Sequence, residues 1–457
     1  MKNSRELALQ LLVRIESGKA YTGVLLDAEL RKSALDARDK ALVTELVYGV
    51  VRWRKTLDWY LDQVCKKPVP QANLWLRQIL RLGGYQLLFL NKIPPSAAIN
   101  EAVKLAGTYG RKAGIPARTA KGFVNAALRQ LDRSRETLQL PETLPDPIAR
   151  CATRYSYPEW LITRWVARLG AAGTEDACRI NNQPAPLTIR VNTLKTSLPE
   201  LQQTLAPTVK SVTALPDLLP GFILSGHPPI AELPGYQNGL FTVQNAASIL
   251  IARLLDPQPG ETVLDACAGS GTKTTHLAEL MQNRGAITAV DRHAGKLRKL
   301  QENCQRLGVT IVQTACEDVT TFSRQAVQEK REFDRILLDA PCSGLGVLRR
   351  HPEAKWTKQE AQMLEFQQLQ LRLLLQTATC LRPGGILVYS TCTTEPEENE
   401  DVITQFLQTM PNFQIAPLSD YLPAVLQPSV TREGFLRIDP PQQDFDGFFC
   451  VRLVRIA

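Results

Sequence analysis

Hydrophobic positions recur at helical spacing through the first 140 residues. Segments 5–15, 37–51, 55–64, 74–90, 97–109 and 120–131 each carry apolar side chains every three or four positions, which predicts amphipathic helices. Pro68-Val69-Pro70, Pro94-Pro95 and Pro116 punctuate them, strand signals are absent, and residues 138–147, with three prolines, read as a linker. Residues 148–238 change character. A helix over 158–169 and a second through Asp176 precede Leu187-Thr188-Ile189-Arg190-Val191-Asn192, which alternates like a strand; a short helix over 198–205 and two further strands follow. From residue 239 to 457, strands and helices alternate. Thr262-Val263-Leu264-Asp265, Ala286-Ile287-Thr288-Ala289-Val290-Asp291, residues 309–314, Arg335-Ile336-Leu337-Leu338-Asp339 and Ile386-Leu387-Val388-Tyr389-Ser390 are the strands. The longest helix is expected over 357–381, stopped by Pro383-Gly384-Gly385. The pattern predicts a multidomain chain: an all-helical N-terminal domain (1–140), a small α+β module (148–238) and a Rossmann-like, doubly wound α/β domain (239–457) with a parallel sheet.

A chain of 457 residues with 44% apolar and 22% charged residues has the length for several cores and the composition of ordered domains. No uncharged apolar run is long enough for a membrane helix, and Met1-Lys2-Asn3-Ser4-Arg5-Glu6 shows no export signal, so a soluble cytoplasmic protein is expected, as a monomer. The net charge is +9, yet residues 1–140 hold 24 Lys and Arg against 12 Asp and Glu. All of the basic excess lies in the first third, which favours a polyanionic partner for the helical domain. The ten cysteines form no C-x-x-C pair and no His stands at ligand spacing, so no metal is expected and the thiols are expected to be reduced.

In a doubly wound sheet, ligands bind beyond the carboxyl ends of the strands. The first such turn is Asp265-Ala266-Cys267-Ala268-Gly269-Ser270-Gly271-Thr272-Lys273-Thr274. It is neither a Walker loop, because Thr272 precedes Lys273, nor G-x-G-x-x-G, because Thr274 stands where the third Gly belongs. Asp291 ends the second strand 20 residues after Gly271, where an acid can hold ribose hydroxyls. A glycine turn with a strand-end Asp and no dinucleotide fingerprint points to S-adenosylmethionine rather than NAD. The fourth and fifth strands each run into a cysteine, in Asp339-Ala340-Pro341-Cys342-Ser343-Gly344 and in Ser390-Thr391-Cys392-Thr393. Two thiols on the site face suit methylation of cytosine carbon 5, which is too electron-poor to be methylated directly. Addition of a thiolate to carbon 6 makes carbon 5 nucleophilic. Asp339 stands where it can bond the exocyclic amine or N3 of the ring. Spacing alone leaves the two cysteines equivalent.

Residues 239–457 resemble the RNA cytosine-C5 methyltransferases. The similarity runs through Val243-Gln244-Asn245-Ala246-Ala247-Ser248, the 265–274 turn, Asp291, Asp339-Ala340-Pro341-Cys342-Ser343-Gly344-Leu345-Gly346 and Arg349-Arg350-His351-Pro352-Glu353 with Lys355-Trp356. It continues through Tyr389-Ser390-Thr391-Cys392, Pro396-Glu397-Glu398-Asn399-Glu400 and Asp446-Gly447-Phe448-Phe449. The helical region, with Phe123-Val124-Asn125-Ala126-Ala127-Leu128-Arg129, resembles the RNA-binding fold of NusB, and the whole chain is similar to bacterial 16S rRNA methyltransferases of the Sun/Fmu type. The resemblance implies 16S ribosomal RNA as substrate, Cys392 as nucleophile and Cys342 as an aid to product release. It also implies S-adenosylmethionine contacts from Cys267, Ala268, Gly269, Ser270, Gly271, Thr272, Lys273, Asp291, Asp318 and Asp339. The family turn usually reads Ala-Pro-Gly-Gly-Lys where this chain has Gly269-Ser270-Gly271-Thr272-Lys273. Two other functions compete: an RNA-binding assembly factor with an inactive methyltransferase fold, opposed by the intact Cys342, Cys392 and Asp339, and a DNA cytosine methyltransferase, opposed by the second cysteine and the helical domain.

Overall fold

The helical periodicity of the first third becomes α1 (Ser4–Glu16), α2 (Thr22–Lys32), α3 (Ala37–Arg52), α4 (Arg54–Asp62), α5 (Leu74–Phe89), α6 (Pro95–Tyr109) and α7 (Ala117–Arg133). Asn3, Asp36 and Asn73 accept hydrogen bonds from backbone N–H groups in the first turns of α1, α3 and α5, satisfying donors that a helix start leaves open. Their apolar stripes meet in one core that includes Leu9, Val47, Leu57, Leu80, Val124 and Leu128, all fully buried. Each such side chain contributes about 1.5–3 kcal/mol by leaving water. Arg81 is buried among them and stays charged because Asp58 grips it with two bonds of 2.7 Å and Glu16 adds one of 3.0 Å. The proline-rich 138–147 segment contains a single 3-10 turn before α8 (Pro147–Tyr155) and α9 (Glu159–Asn181). Gly170, at φ +70°, breaks α9 into the two helices that the sequence pattern separates.

The computed structural model describes residues 3–18, 22–439 and 445–456; Met1, Lys2 and Lys19, which enter the reading of the opening segment and the basic excess, lie outside them. The chain divides into two compact units, residues 1–183 with 348–360, and residues 184–347 with 361–457. No helix among the described residues is long and apolar enough to cross a membrane.

In the second unit, β1 (Leu187–Val191), α10 (Leu198–Leu205), β2 (Ser211–Ala214), β3 (Gly221–Ser225) and β4 (Phe241–Val243) build a four-stranded antiparallel sheet in the order β2-β3-β1-β4. There follow α11 (Ala246–Leu255), β5 (Thr262–Asp265), α12 (Thr272–Leu280), β6 (Ala286–Val290), α13 (Ala294–Leu307), β7 (Val312–Ala315), α14 (Val319–Gln328) and β8 (Phe333–Asp339). After the short α15 (Ala354–Thr357) come α16 (Gln362–Ala378), β9 (Leu381–Thr391), α17 (Glu400–Thr409), β10 (Phe413–Ile415), β11 (Leu436–Ile438) and β12 (Phe448–Arg455). The sheet order is β10-β12-β9-β8-β5-β6-β7, with β11 also paired to β12.

Two expectations need correction. The sheet is mixed: β5 to β9 are parallel, but β12 pairs antiparallel with β9, β10 and β11. Hydropathy reports burial and not strand direction, so a strand apolar on both faces reads alike either way. The long helix expected over 357–381 is also divided. Residues 348–360 belong to the helical unit, where Lys355 donates to the Arg52 carbonyl at 2.9 Å and Trp356 to that of Val51 at 2.7 Å. Glu353 accepts the Thr22 N–H at 3.0 Å. α16 then ends at Ala378, so Pro383-Gly384-Gly385 lies inside β9 rather than at a helix stop.

Candidate active site

The parallel strands β9, β8, β5, β6 and β7 deliver Cys392, Asp339, Asp265, Asp291 and the segment before Asp318 to one edge of the sheet. The turn after β5 uses its glycines as backbone. Gly269 and Gly271 have φ of +57° and +83°, and a Cβ on Gly271 would lie 2.4 Å from Leu300. Thr272 is the first residue of α12 and has no positive φ, so a β-branched residue stands where the resembling turns have glycine without strain. Ala268 donates to the Val290 carbonyl at 2.9 Å, Gly269 donates to Asp291 Oδ2 at 3.0 Å, and the Ser270 carbonyl accepts from Asn303 at 3.1 Å. Asp291 also accepts the His293 N–H at 2.8 Å, so both of its oxygens are oriented while each keeps a lone pair. Cys267 packs in the turn, where burial pushes its thiol up and makes it inert.

Lys273 neither caps the turn nor faces solvent. Its ammonium meets Asp339 Oδ2 at 2.6 Å, and Ser390 donates to Asp339 Oδ1 at 3.0 Å. Burial alone would lower the Lys273 pKa; Asp339, with added attraction from Cys392, holds it above the usual lysine value. Cys342 Sγ and Cys392 Sγ lie 3.3 Å apart. The hydrogen bond to Cys392, then burial and the charges of Glu398 and Asp339, raise Cys342 well above an ordinary thiol, so in this pair Cys342 keeps its proton. Asp318 stands apart from these contacts. It caps α14, accepting from Thr320 N at 2.9 Å and Thr320 Oγ1 at 2.6 Å, and the Thr320 bonds lower its pKa despite some burial.

Several positioning residues escape a reading by motif. Adjacent residues after β9 each hold one cysteine turn. Glu398 accepts Ser343 N–H at 2.8 Å and Gln370 Nε2 at 2.9 Å, while Gln370 also donates to the Pro341 carbonyl at 3.0 Å. Asn399 accepts Thr391 Oγ1 at 2.6 Å and donates to the Thr393 carbonyl at 3.2 Å, bracketing Cys392. Gly346 donates to the Cys392 carbonyl at 3.0 Å, and Gly447 to that of Gly346 at 2.8 Å; a Cβ on Gly346 would fall 2.2 Å from the Gly447 oxygen. Behind the turn after β5, fully buried Arg190 grips Glu279 twice, at 2.7 and 3.0 Å, and donates to the Thr272 carbonyl at 2.7 Å and to Gln244. This ties the antiparallel sheet to the start of α12. Gln244, Gly346, Glu398, Asn399 and Gly447 lie in motifs the sequence analysis quotes, whereas Arg190 shows there only as part of a strand and Glu279 and Gln370 carry no signal.

Whether the turn suits S-adenosylmethionine can be judged from its own groups. Asp265 is buried at the end of β5. Its Oδ2 accepts Thr274 Oγ1 at 2.6 Å, but its Oδ1 has no partner. Burial pushes its pKa up to about 7, with the Asp339 charge adding to the rise. A cationic amine is the partner that would relieve this penalty. The space beyond Gly269 is open where a Cβ would stand. An acceptor for an ammonium, an exposed backbone turn and an oriented Asp291 fit an amino-acid-bearing nucleoside. No group of three or more His, Cys, Asp or Glu among the described residues is arranged to hold a metal ion.

Residues 252–454 match the family described as 16S rRNA methyltransferase RsmB/F, residues 2–133 the NusB family, and residues 157–231 the RsmF/B-like ferredoxin-like domain. The chain is 40% identical to the probable ribosomal RNA small subunit methyltransferase B of Bacillus subtilis (strain 168), over 97% of each chain. It is 34% identical to ribosomal RNA small subunit methyltransferase B of Klebsiella pneumoniae (strain 342), over 99% of this chain and 98% of the relative. The crystal structure of PH0851 aligns with a TM-score of 0.80 and 28% identity, covering 100% of this chain and 99% of that one. With full-length relatives at this identity, and with a NusB-type helical domain and a ferredoxin-like sheet preceding the methyltransferase domain, the chain belongs to the RsmB/F family of 16S rRNA methyltransferases.

Proposed function

We propose that the chain transfers a methyl group from S-adenosylmethionine to carbon 5 of a cytosine in 16S ribosomal RNA, through a transient bond between Cys392 and carbon 6. Residues 1–140 grip the RNA, residues 148–238 position it, and residues 239–457 carry the chemistry. The observation that carries the reading is the 3.3 Å contact between Cys342 and Cys392 beside the Lys273–Asp339 pair.

S-adenosylmethionine, when bound, supplies a methyl group on an electron-poor sulfonium. Gly269, Asp265 and Asp291 would hold it, with Asp265 facing the amine and Asp291 the ribose hydroxyls. Cys392 as thiolate adds to carbon 6, and the ring's electron pair moves onto carbon 5. The Lys273 ammonium faces the charge on that sulfur. Asp339, oriented by Lys273 and Ser390, keeps lone pairs for the exocyclic amine of the base. After methylation, carbon 5 bears both its hydrogen and the new methyl group. Loss of that proton to a base restores the double bond and expels Cys392 as thiolate. Cys342, protonated and within hydrogen-bond reach, stabilises the departing sulfur.

Labelled-methyl transfer to 16S rRNA, transfer RNA and DNA, followed by nucleoside analysis, tests this. Label in 5-methylcytosine from 16S rRNA is expected. Label only in DNA, or at another atom of the base, would overturn it, and failure to bind S-adenosylmethionine would revive the inactive assembly factor.

A further inference from the structure

Part of the basic excess of the helical domain lies in one stretch that is poor in acids. From Ala102 to Leu131 there is no Asp or Glu, but there are six cations: Lys104, Arg111, Lys112, Arg118, Lys121 and Arg129. The acids bounding this stretch are engaged, Glu101 with Lys104 and Asp132 with Arg135. On α7, Arg118, Lys121, Arg129 and Arg133 are exposed, and none makes an ion pair among the described residues. At 100° per residue the four fall within about a third of the helix circumference, spread over about 22 Å of its length. The Lys121 stem lies across Gly107 of α6, and Arg129 and Arg133 line a groove with Ser96 and Asn100.

Gly122 lies in the middle of this face. Glycine inside a helix is unfavourable relative to alanine, and here neither packing nor backbone angle requires it: φ is not positive, and no atom lies within 4 Å of where a Cβ would stand. With exposed Ala126 a turn later, it leaves the helix backbone open between the cations. Fold stability does not explain that opening.

We propose that the exposed face of α7, made by Arg118, Lys121, Arg129 and Arg133 around Gly122, is the surface on which this enzyme docks the phosphate backbone of RNA. The inference rests on the reading of the chain as an rRNA methyltransferase and specifies where the substrate is gripped. Charge complementarity selects the occupant: the four cations have no ion-pair partner among the described residues, Arg129 and Arg133 bond only the neutral Asn125 and Gln130, and Asp132, the one acid in the same groove, is taken by Arg135, so the face matches a polyanion.

The test compares two full-length variants of equal charge change, binding a 16S rRNA transcript across a salt series. One carries Arg118→Gln, Lys121→Gln, Arg129→Gln and Arg133→Gln; the control carries Lys32→Gln, Arg38→Gln, Lys66→Gln and Lys67→Gln, exposed cations elsewhere in the helical unit. Each phosphate contact contributes roughly one unit to the slope of log K against log salt. The α7 variant should flatten that slope by up to about 4, and the control by far less. Gly122→Leu should leave the thermal midpoint no lower while weakening RNA binding at least about fivefold, because it fills the opening with a better helix former. Equal behaviour of the two quadruple variants, or a Gly122→Leu protein with normal RNA affinity, would make this a solvated surface and overturn the proposal. Normal RNA binding by the α7 variant with lost binding to a ribosomal protein would overturn it equally. Methyl transfer by the unsubstituted chain is measured alongside; its absence would sink the enzymatic reading while the binding comparison still decides this face.

Discussion

The sulfurs of Cys342 and Cys392 lie 3.3 Å apart although the residues are 50 positions apart in the chain. The parallel pairing of β8 with β9 sets Asp339 opposite Ser390; Cys392 directly follows the end of β9, and Cys342 follows that of β8 after Ala340 and Pro341. Glu398 and Asn399, next to each other, hold the two turns from one side. The two cysteines therefore have unequal surroundings, and the proposed mechanism assigns each a different task.

Replacing the cysteines should separate these tasks. Cys392→Ser exchanges a thiolate for a hydroxyl that stays un-ionised near neutral pH, so methyl transfer should stop and no protein–RNA adduct should form. Cys342→Ser should still attack and methylate but release poorly, leaving a slow-migrating covalent complex on a denaturing gel. Adduct from Cys392→Ser and none from Cys342→Ser would exchange the roles. Two fully active proteins would end the covalent mechanism.

The neighbouring clamp should affect rate more than binding. Asn399→Ala frees Thr391 Oγ1 and the Thr393 carbonyl, and loosens the Cys392 turn. Leaving such buried groups unpaired costs about 1–3 kcal/mol of stability each. The expected result is a fall in kcat of roughly 10- to 100-fold, since misplacement of a reacting group by an ångström costs about that much, with KM for RNA and cofactor nearly unchanged. A normal kcat in a folded Asn399→Ala protein would remove Asn399 from the positioning machinery.

With Asp265 facing the amine as proposed, cofactor binding should depend on pH. Burial raises the Asp265 pKa in the protein to about 7, well above the ordinary aspartate value, so the folded protein holds a proton that the unfolded chain releases across that interval. Stability from this group is thus greatest below the unfolded value and falls as pH rises toward 7. A cationic amine needs the carboxylate, so affinity for S-adenosylmethionine should strengthen as pH rises from 5.5 to 7. Asp265→Asn should abolish that dependence, weaken binding and raise stability at pH 8 by up to about 4 kcal/mol. Calorimetry at three pH values, with thermal melts, checks both signs. A flat pH profile in the unsubstituted protein would remove Asp265 from the cofactor site.

Asp291→Ala should weaken S-adenosylmethionine binding by about one to two decades through the loss of charge-assisted bonds, leaving RNA affinity almost unaltered. Part of the loss comes from the freed Gly269 N–H, which now orients the turn. Unchanged calorimetric affinity in a folded protein would refute the ribose assignment.

The buried Arg190–Glu279 pair should respond to single substitutions more than to a double one. Arg190→Met leaves Glu279 charged and unpaired, at a cost of about 3–5 kcal/mol, while Arg190→Met with Glu279→Leu should recover much of it. Denaturant unfolding of the three variants measures the coupling. Additive losses would mean that the two side chains act independently.

Much of this protein is legible in the chain itself. Helical spacing marks six of the seven N-terminal helices, because burying an apolar stripe imposes that period whatever the partner; α2, whose buried residues are Thr22, Leu25 and Leu26, has too short an apolar stripe to register. Runs such as Arg335-Ile336-Leu337-Leu338-Asp339 mark buried strands, and the residues at their ends mark the site, since in an open parallel sheet those ends converge. What the sequence could not determine is what depends on distance between remote residues. That Lys273 pairs with Asp339, that residues 348–360 pack within the helical unit, that β12 runs antiparallel to β9, and that Glu398 and Asn399 each hold one cysteine turn are consequences of which segments become neighbours. Local propensity and hydropathy encode burial and period. Strand direction, charge pairing and the inequality of two thiols arise only when the folded chain brings separate turns within a few ångströms, where burial and neighbouring charges set which sulfur keeps its proton.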